Sequence, residues 1–305
     1  MSAVLNSIST PQSIKPLHPL FVAEITGIDL TVPMARDDFR VIWEAFNEYQ
    51  ILVFRDQAFS DETQIAFSRN FGALETMEAH PANNFKPGHI AIMTNLDAQG
   101  NLLPLDDPGM LHRLRNEHWH TDSSFKAVAA LCSMLSGRIV PPVGGNTDFA
   151  SARAAYAAFP DARKAALDAM TVIHRVAEPS NVDDPAYNEE QKMRLTVTHP
   201  LIRINPVNGR KNFYAGAHAQ EIVGMSRQSG KALLDELTAF CTQPQFVYSH
   251  PWRQHDLVIW DNRSALHRAT SFDKTLYRRK MHRTTVAGTV PDHALAQMPQ
   301  MPQMS

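Results

Sequence analysis

Apolar residues recur along the chain in distinct rhythms, and the elements follow from where one rhythm gives way to the next. Phe39, Ile42, Trp43 and Phe46 stand at i, i+3, i+4 and i+7, which gives 37–49 the single apolar face of a surface helix. The run Ile51-Leu52-Val53-Phe54 that follows is short and continuous, as in a buried strand. Ser60 before Asp61 and Glu62 has the chemistry of an N-cap and an acid-rich first turn, so a second helix starts there and ends near Gly72. Residues 152–175 are Ala-rich and predict a helix in two pieces broken at Pro160. The clearest stripe, Leu233, Leu234, Leu237, Phe240 and Cys241, places another helix after Met225. Strand-like patterning predicts a pair within 20–30 that turns at Gly27, and strands at 129–140, 196–204, 211–215, 245–249, 256–260 and 277–287.

Two stretches have no rhythm. Residues 76–115 mix Pro, Asn, Asp and Gly without a sustained period; a long segment of that kind in a compact domain predicts a substrate lid, although a surface excursion without a role would look similar. Residues 177–195 are polar and predict a loop. The Met-Pro-Gln end, 293–305, is low complexity and predicts a disordered tail. With no Gly/Ser/Pro-rich linker in the middle, 1–292 reads as one domain. Many short strands with helices gathered early and between them predict an α+β protein whose core is a double-stranded β-helix, the jelly-roll barrel, with flanking helices.

Composition narrows the setting more than the chemistry. A chain of 305 residues that is 44% hydrophobic and 20% charged can bury a substantial core, and a net charge of -2 argues against nucleic-acid or anionic-membrane partners. Cys132 and Cys241 lie in apolar sequence and read as buried thiols of a reducing compartment. No secretory pattern or long apolar run is visible, which points to the cytoplasm.

The chemistry gathers at His120-Thr121-Asp122. On an extended segment an imidazole and a carboxylate two residues apart project to one side, and such a pair supplies two ligands of the two-His-one-carboxylate arrangement of open-sited iron(II) oxygenases. By itself the pair is common. His267, just past a strand run ending in Trp260-Asp261-Asn262-Arg263, is the candidate third ligand, beside a turn at a strand end. His118 is in phase with His120 and offers a competing ligand pair. In the basic run 278–283, Arg279, Met281 and Arg283 share one face of a strand; this is either a solvated edge or, facing inward, two bidentate anchors for acidic small molecules. His174, His199, His218, His250 and His255 read as packed or surface histidines, and Trp119 and Trp260 as core.

Taken together these motifs resemble the iron(II)/2-oxoglutarate-dependent dioxygenases of the taurine dioxygenase group, nearest to the members that cleave aryloxyacetates such as 2,4-dichlorophenoxyacetate. The likeness runs through Leu17-His18-Pro19-Leu20-Phe21, Arg69-Asn70-Phe71-Gly72, Val140 to Thr147, Gly216-Ala217-His218-Ala219, Val258 to Arg263 and Thr284-Thr285. The resemblance implies that His120, Asp122 and His267 hold iron(II). It implies that Thr147 and Arg279 hold the distal carboxylate of 2-oxoglutarate, and that Arg283, Asn116 and His80 face a small acidic substrate. It further implies a homo-oligomer that consumes 2-oxoglutarate and O2, releases succinate and carbon dioxide, and hydroxylates its substrate. With an aryloxyacetate, hydroxylation beside the ether oxygen gives a hemiacetal that collapses to a phenol and glyoxylate. A sulfonate, a sulfate ester or an amino-acid-derived acid is the alternative substrate. A zinc hydrolase or a plain ligand-binding barrel could use the same residue types, but neither needs a carboxylate anchor such as Arg279 with Thr147 facing the metal. The sequence departs from the family twice: Asn146 replaces the usual Asp, and His267 and Arg279 are twelve residues apart, one more than the family interval, which leaves Arg278 as a rival for the co-substrate role.

Overall fold

The computed structural model describes residues 11, 13–76, 88–107, 110, 114–176 and 195–288. In chain order the elements are β1 (Ser13–His18), β2 (Val22–Thr26), α1 (Arg36–Tyr49), β3 (Ile51–Phe54), α2 (Asp61–Ser68), β4 (Ala91–Thr94) and β5 (Ala130–Ile139). Then follow β6 (Thr147–Ser151), α3 (Ala152–Ala158), α4 (Asp161–Asp168), β7 (Thr171–Arg175), β8 (Thr196–Pro200), β9 (Ile202–Ile204) and β10 (Lys211–Phe213). The chain continues with β11 (Ala219–Ile222), α5 (Arg227–Cys241), β12 (Val247–His250), β13 (Leu257–Asp261), β14 (Ala265–Ala269) and β15 (Lys280–Ala287). The predicted loop 177–195 falls almost entirely outside the described residues, and the predicted tail wholly so.

The largest sheet has seven strands in the order β1-β2-β3-β13-β5-β15-β4, and a three-stranded sheet, β12-β6-β14, packs against it. β13 sits at the centre of the first and is buried along its whole length, so its first four residues, Leu257-Val258-Ile259-Trp260, are all apolar rather than alternating, and only Asp261 at its end is charged. Leu257 and Ile259 face one side, where α1 brings Ile42 and Phe46, α2 brings Phe67, and the turn after α2 brings Phe71. Val258 and Trp260 face the other and meet Phe149 of β6, Leu135 and Met281. Each large side chain buried in this way contributes about 1.5–3 kcal/mol. A third cluster joins α3, α4 and α5 to the far side of the small sheet through Tyr156, Phe213, Leu234 and Leu237.

Local chemistry explains most boundaries. Ser60 caps α2 by accepting from the Thr63 backbone N–H, while the Thr63 hydroxyl accepts from the Ser60 N–H. Elsewhere the pattern misleads. The first hairpin pairs 13–18 with 22–26 and turns before Gly27, because β1 is a largely exposed edge strand with no apolar period to announce it. The Ala-rich stretch stops being helical after Asp168, and β-branched Thr171, Val172 and Ile173 enter a strand instead. Within the predicted lid, Ala91–Thr94 is a strand paired with β15. Among the described residues no helix is long and apolar enough to cross a membrane, and both cysteines are buried free thiols whose pKa burial raises.

Candidate metal and co-substrate site

The two predicted histidine ligands are brought together by backbone, not by side chains. The His120 N–H donates to the His267 carbonyl at 3.0 Å and the His267 N–H donates back at 2.8 Å, a closed antiparallel pair that sets both imidazoles on one side with ring centroids 4.2 Å apart. His267 lies in the middle of β14 rather than beside a turn at a strand end. His120 pairs with β14 through this one bridge, after which the chain turns through Ser123 at φ 54°. That suffices to bring Asp122 in beside the imidazoles, its Oδ2 3.7 Å from His267 Nε2. One ligand atom from each of His120, Asp122 and His267 lies within 4.8 Å of the others, and all three residues are buried. His118 is exposed and supplies no second imidazole; its carbonyl instead accepts from His120 Nδ1 at 2.7 Å, which leaves Nε2 as the nitrogen with a lone pair for a metal.

The surroundings hold these groups in the protonation states a cation requires. Burial lowers the pKa of both histidines, that of His267 far below the ordinary value, so both are neutral. Burial opposes ionisation of Asp122, but Arg283, whose Nη1 donates to Oδ1 at 2.5 Å, holds its carboxyl well below the usual carboxylate range. The other oxygen, Oδ2, accepts from Ser133 at 2.6 Å, and Ser133 accepts from Asn262 Nδ2 at 2.9 Å. Asn262 Oδ1 in turn takes the Asp122 N–H at 3.1 Å and the Trp260 indole N–H at 2.9 Å. Sequence reading missed Ser133 and the role of Asn262. The Trp-Asp-Asn-Arg motif marked the second without saying what it holds, and nothing local marks the first. His218, left unassigned, also comes here, its ring edge-on at 5.9 Å from His120 and its pKa pushed down to about 3 by burial.

A cavity of about 840 Å³, counting its open mouth, joins the histidines to the other predicted residues. Thr147, which opens β6, and Arg279 both line it, while Arg278 is exposed. The turn before Thr147 leaves room for Arg279: Gly145 is left-handed at φ 67°, and a Cβ there would stand 3.3 Å from Arg279 Nε. Arg279 Nη2 donates to the Gly145 carbonyl at 3.2 Å, its Nε is buried with no partner, and among the described residues no carboxylate pairs with it. Burial pulls its pKa down to about 10, still far above neutrality, so the guanidinium stays charged. Asn146 turns outward to donate to Ser249, so the Asp-to-Asn departure is confined to turn chemistry. Arg283 lines the cavity but is engaged with Asp122 rather than free; Asn116 lines it from a short 3-10 turn, Leu114–Glu117; and His80 lies outside the described residues.

The donor set fits a divalent metal. Two neutral imidazoles and one ionised carboxylate converge, and His267 Nδ1 is buried without a partner on the opposite edge of its ring. The unmatched guanidinium fits the carboxylate of a dicarboxylic co-substrate.

The family model for "Taurine catabolism dioxygenase TauD, TfdA family" matches residues 13–285. The chain is 39% identical over 276 residues to the alpha-ketoglutarate-dependent 2,4-dichlorophenoxyacetate dioxygenase of Cupriavidus pinatubonensis, covering 88% of this chain and 96% of that protein. It is 33% identical over 293 residues to the (S)-phenoxypropionate/alpha-ketoglutarate-dioxygenase of Sphingobium herbicidovorans, covering 93% and 98%. The crystal structure of AAD-2 in complex with Mn(II) and N-oxalylglycine superposes with a TM-score of 0.84 at 39% identity, covering 92% of this chain and 98% of that one. Motifs, geometry and relatives agree: the chain belongs to the TauD/TfdA family and is an iron(II)- and 2-oxoglutarate-dependent dioxygenase.

Proposed function

We propose that this enzyme oxidises a small aryloxyalkanoic acid at the carbon beside the ether oxygen, with His120, Asp122 and His267 as the iron ligands and Thr147 and Arg279 as the anchor for 2-oxoglutarate. The observation that carries this reading is the buried His-Asp-His convergence beside a cavity that also holds a guanidinium with no carboxylate partner among the described residues. Relatives that act on 2,4-dichlorophenoxyacetate and on (S)-phenoxypropionate support the substrate class. When bound, iron(II) and 2-oxoglutarate use O2 to supply an oxidant that takes a hydrogen atom from a C–H bond and returns a hydroxyl, with loss of carbon dioxide and formation of succinate.

The protein's own part is positioning. His120 and His267 present neutral nitrogens held by their mutual backbone pair, and Asp122 is kept ionised and oriented by Arg283, Ser133 and Asn262. Arg279 offers a planar fork to a distal carboxylate. Asn116 and His80 are taken to face the substrate, with Arg283, which also holds Asp122, near its acid group, and Met93, Met110, Leu135 and Phe272 give the cavity the apolar wall that an aryl ring needs while excluding water. Hydroxylation beside an ether oxygen yields a hemiacetal, which breaks down to a phenol and a 2-oxo acid without further help.

Residues 1–292 are taken as one domain whose two facing sheets form a double-stranded β-helix, with 76–115 as the substrate lid; Met93 and Met110 of that segment line the cavity. A cytoplasmic homo-oligomer completes the reading, on the family resemblance and the pair of buried thiols. The test is 2-oxoglutarate consumption and succinate release over a panel of aryloxyacetates, aryloxypropionates and alkyl sulfonates. Turnover coupled to phenol release with an aryloxy acid supports the reading, and sulfonate-only turnover overturns its substrate part.

A further inference from the structure

The Thr147 hydroxyl has one hydrogen-bond partner among the described residues, the indole of Trp252. The indole Nε1 of Trp252 lies 3.0 Å from Thr147 Oγ1, and both side chains are buried. An indole N–H only donates, so the Thr147 oxygen must accept there and its proton must leave in another direction. Among the described residues nothing takes that proton, and the cavity that Thr147 lines beside Arg279 is the direction left.

The indole is itself held from behind. Trp252 lies two residues beyond the end of β12, whose last residue, His250, is paired across the ladder with Thr147. The His250 ring meets the indole edge-on at 4.7 Å. His250 Nε2 is 3.2 Å from Asp256 Oδ2, which also accepts from the Arg253 backbone N–H at 2.7 Å and from Arg55 at 2.5 Å. On the far side the ring lies against Gly137, where a Cβ would be in ordinary contact with Trp252 Cε3 at 3.6 Å. A tryptophan clamped in this way to donate to a single hydroxyl serves more than packing.

We propose that Trp252 is a positioning residue for 2-oxoglutarate: by filling a lone pair of Thr147 it turns the Thr147 O–H toward the co-substrate's distal carboxylate, which Arg279 holds from the other side. The inference rests on the assignment of that carboxylate to Thr147 and Arg279.

The test measures 2-oxoglutarate binding by calorimetry to protein loaded with Mn(II), which needs no turnover. Trp252→Phe keeps the ring and removes the N–H. It should weaken 2-oxoglutarate about tenfold, as loss of a hydrogen bond to a charged group does, with Mn(II) affinity unchanged as the control for folding. Replacement of Trp252 by 3-benzothienylalanine, which puts sulfur in place of the N–H at nearly constant shape, should do the same. In turnover the loss should appear in KM for 2-oxoglutarate and not in kcat. In a Thr147→Ala background, Trp252→Phe should cost little more, because the two act through one hydroxyl. Unchanged binding in both Trp252 variants, or an equal loss with and without Thr147, overturns the proposal. Arg279→Gln separates it from the assignment beneath it: if that variant weakens 2-oxoglutarate and the Trp252 variants do not, only the inference fails, whereas if Arg279→Gln also binds normally, the carboxylate assignment itself falls.

Discussion

The two ends of the cavity are built on opposite principles. At the Asp122 end both carboxylate oxygens have donors, from Arg283 and Ser133, and Ser133 is itself tied down through Asn262 and Trp260, although Arg283 Nε is buried with no partner. At the Arg279 end a guanidinium stands without a carboxylate among the described residues, with a buried, unpartnered Nε. At one end the cation has its carboxylate within the protein, and at the other the guanidinium has none among the described residues. A half-satisfied buried charge costs the fold stability, so its retention is a sign of binding rather than of structure.

The sharpest way to break this contrast is to remove a group from each end in turn. Asp122→Ala should reduce Fe(II) or Mn(II) affinity by more than about a hundredfold and take activity to background, since the loss of a ligand exceeds the loss of its support. Metal titration of the purified variant checks this, and near-normal affinity would show that the three groups do not act as one site. Arg279→Gln should leave metal affinity intact and weaken 2-oxoglutarate by about a hundredfold, the usual effect of truncating one member of a desolvated charge pair. The contrast also demands a result of the opposite sign: Arg279→Met should raise the melting temperature of the ligand-free protein, by an amount equivalent to about 1 kcal/mol or more. A lowered melting temperature would mean that the guanidinium already has its partner. Ser133→Ala, which removes one donor to Asp122 and leaves the ligand in place, should cost only about tenfold in metal affinity.

How far the sequence disclosed these two ends depends on the distance over which each is assembled. His120 and Asp122 are two residues apart, a spacing that suggests a ligand pair but is common by itself. His267 and Arg279 were candidates from strand patterning, the role of Thr147 came only with the family resemblance, and of the two neighbouring arginines Arg279 lines the cavity while Arg278 is exposed. Strand β14 escaped notice because Ala265-Leu266-His267-Arg268-Ala269 contains no β-branched residue; the strand exists through its pairing with β6, not through propensity. Ser133 and Asn262 are 129 residues apart, and no local pattern can show that one hydrogen bond joins them. The central strands, α1 and α5 were legible because burial imposes an apolar run or period, and α2 because Ser60 and an acidic first turn mark its start, whereas the edge strands β1 and β4 are little buried and carry little pattern.

The smallest expected effect concerns what lies behind Asp122. The turn that follows it is held by two histidines: His174 Nδ1 is 3.0 Å from Ser124 Oγ, and His199 Nε2 is 2.7 Å from the Ser124 carbonyl. Burial, reinforced by His199, His218 and Arg203 nearby, sets the His174 pKa well below its ordinary 6.5. A base whose folded pKa is depressed binds its proton more readily in the unfolded chain. Its neutral form therefore costs nothing above pH 6.5, and stability is lost as the pH falls below that value, at up to about 1.4 kcal/mol per pH unit from this group. Urea midpoints of the metal-free protein should be flat from pH 8 to 7 and fall between pH 6.5 and 5. His174→Asn, which keeps a polar group near Ser124 but cannot titrate, should lower the midpoint at pH 7 and make the fall below 6.5 shallower. If the slope is unchanged in that variant, the acid sensitivity belongs to other buried histidines, and the turn behind Asp122 is held by packing rather than by a neutral imidazole.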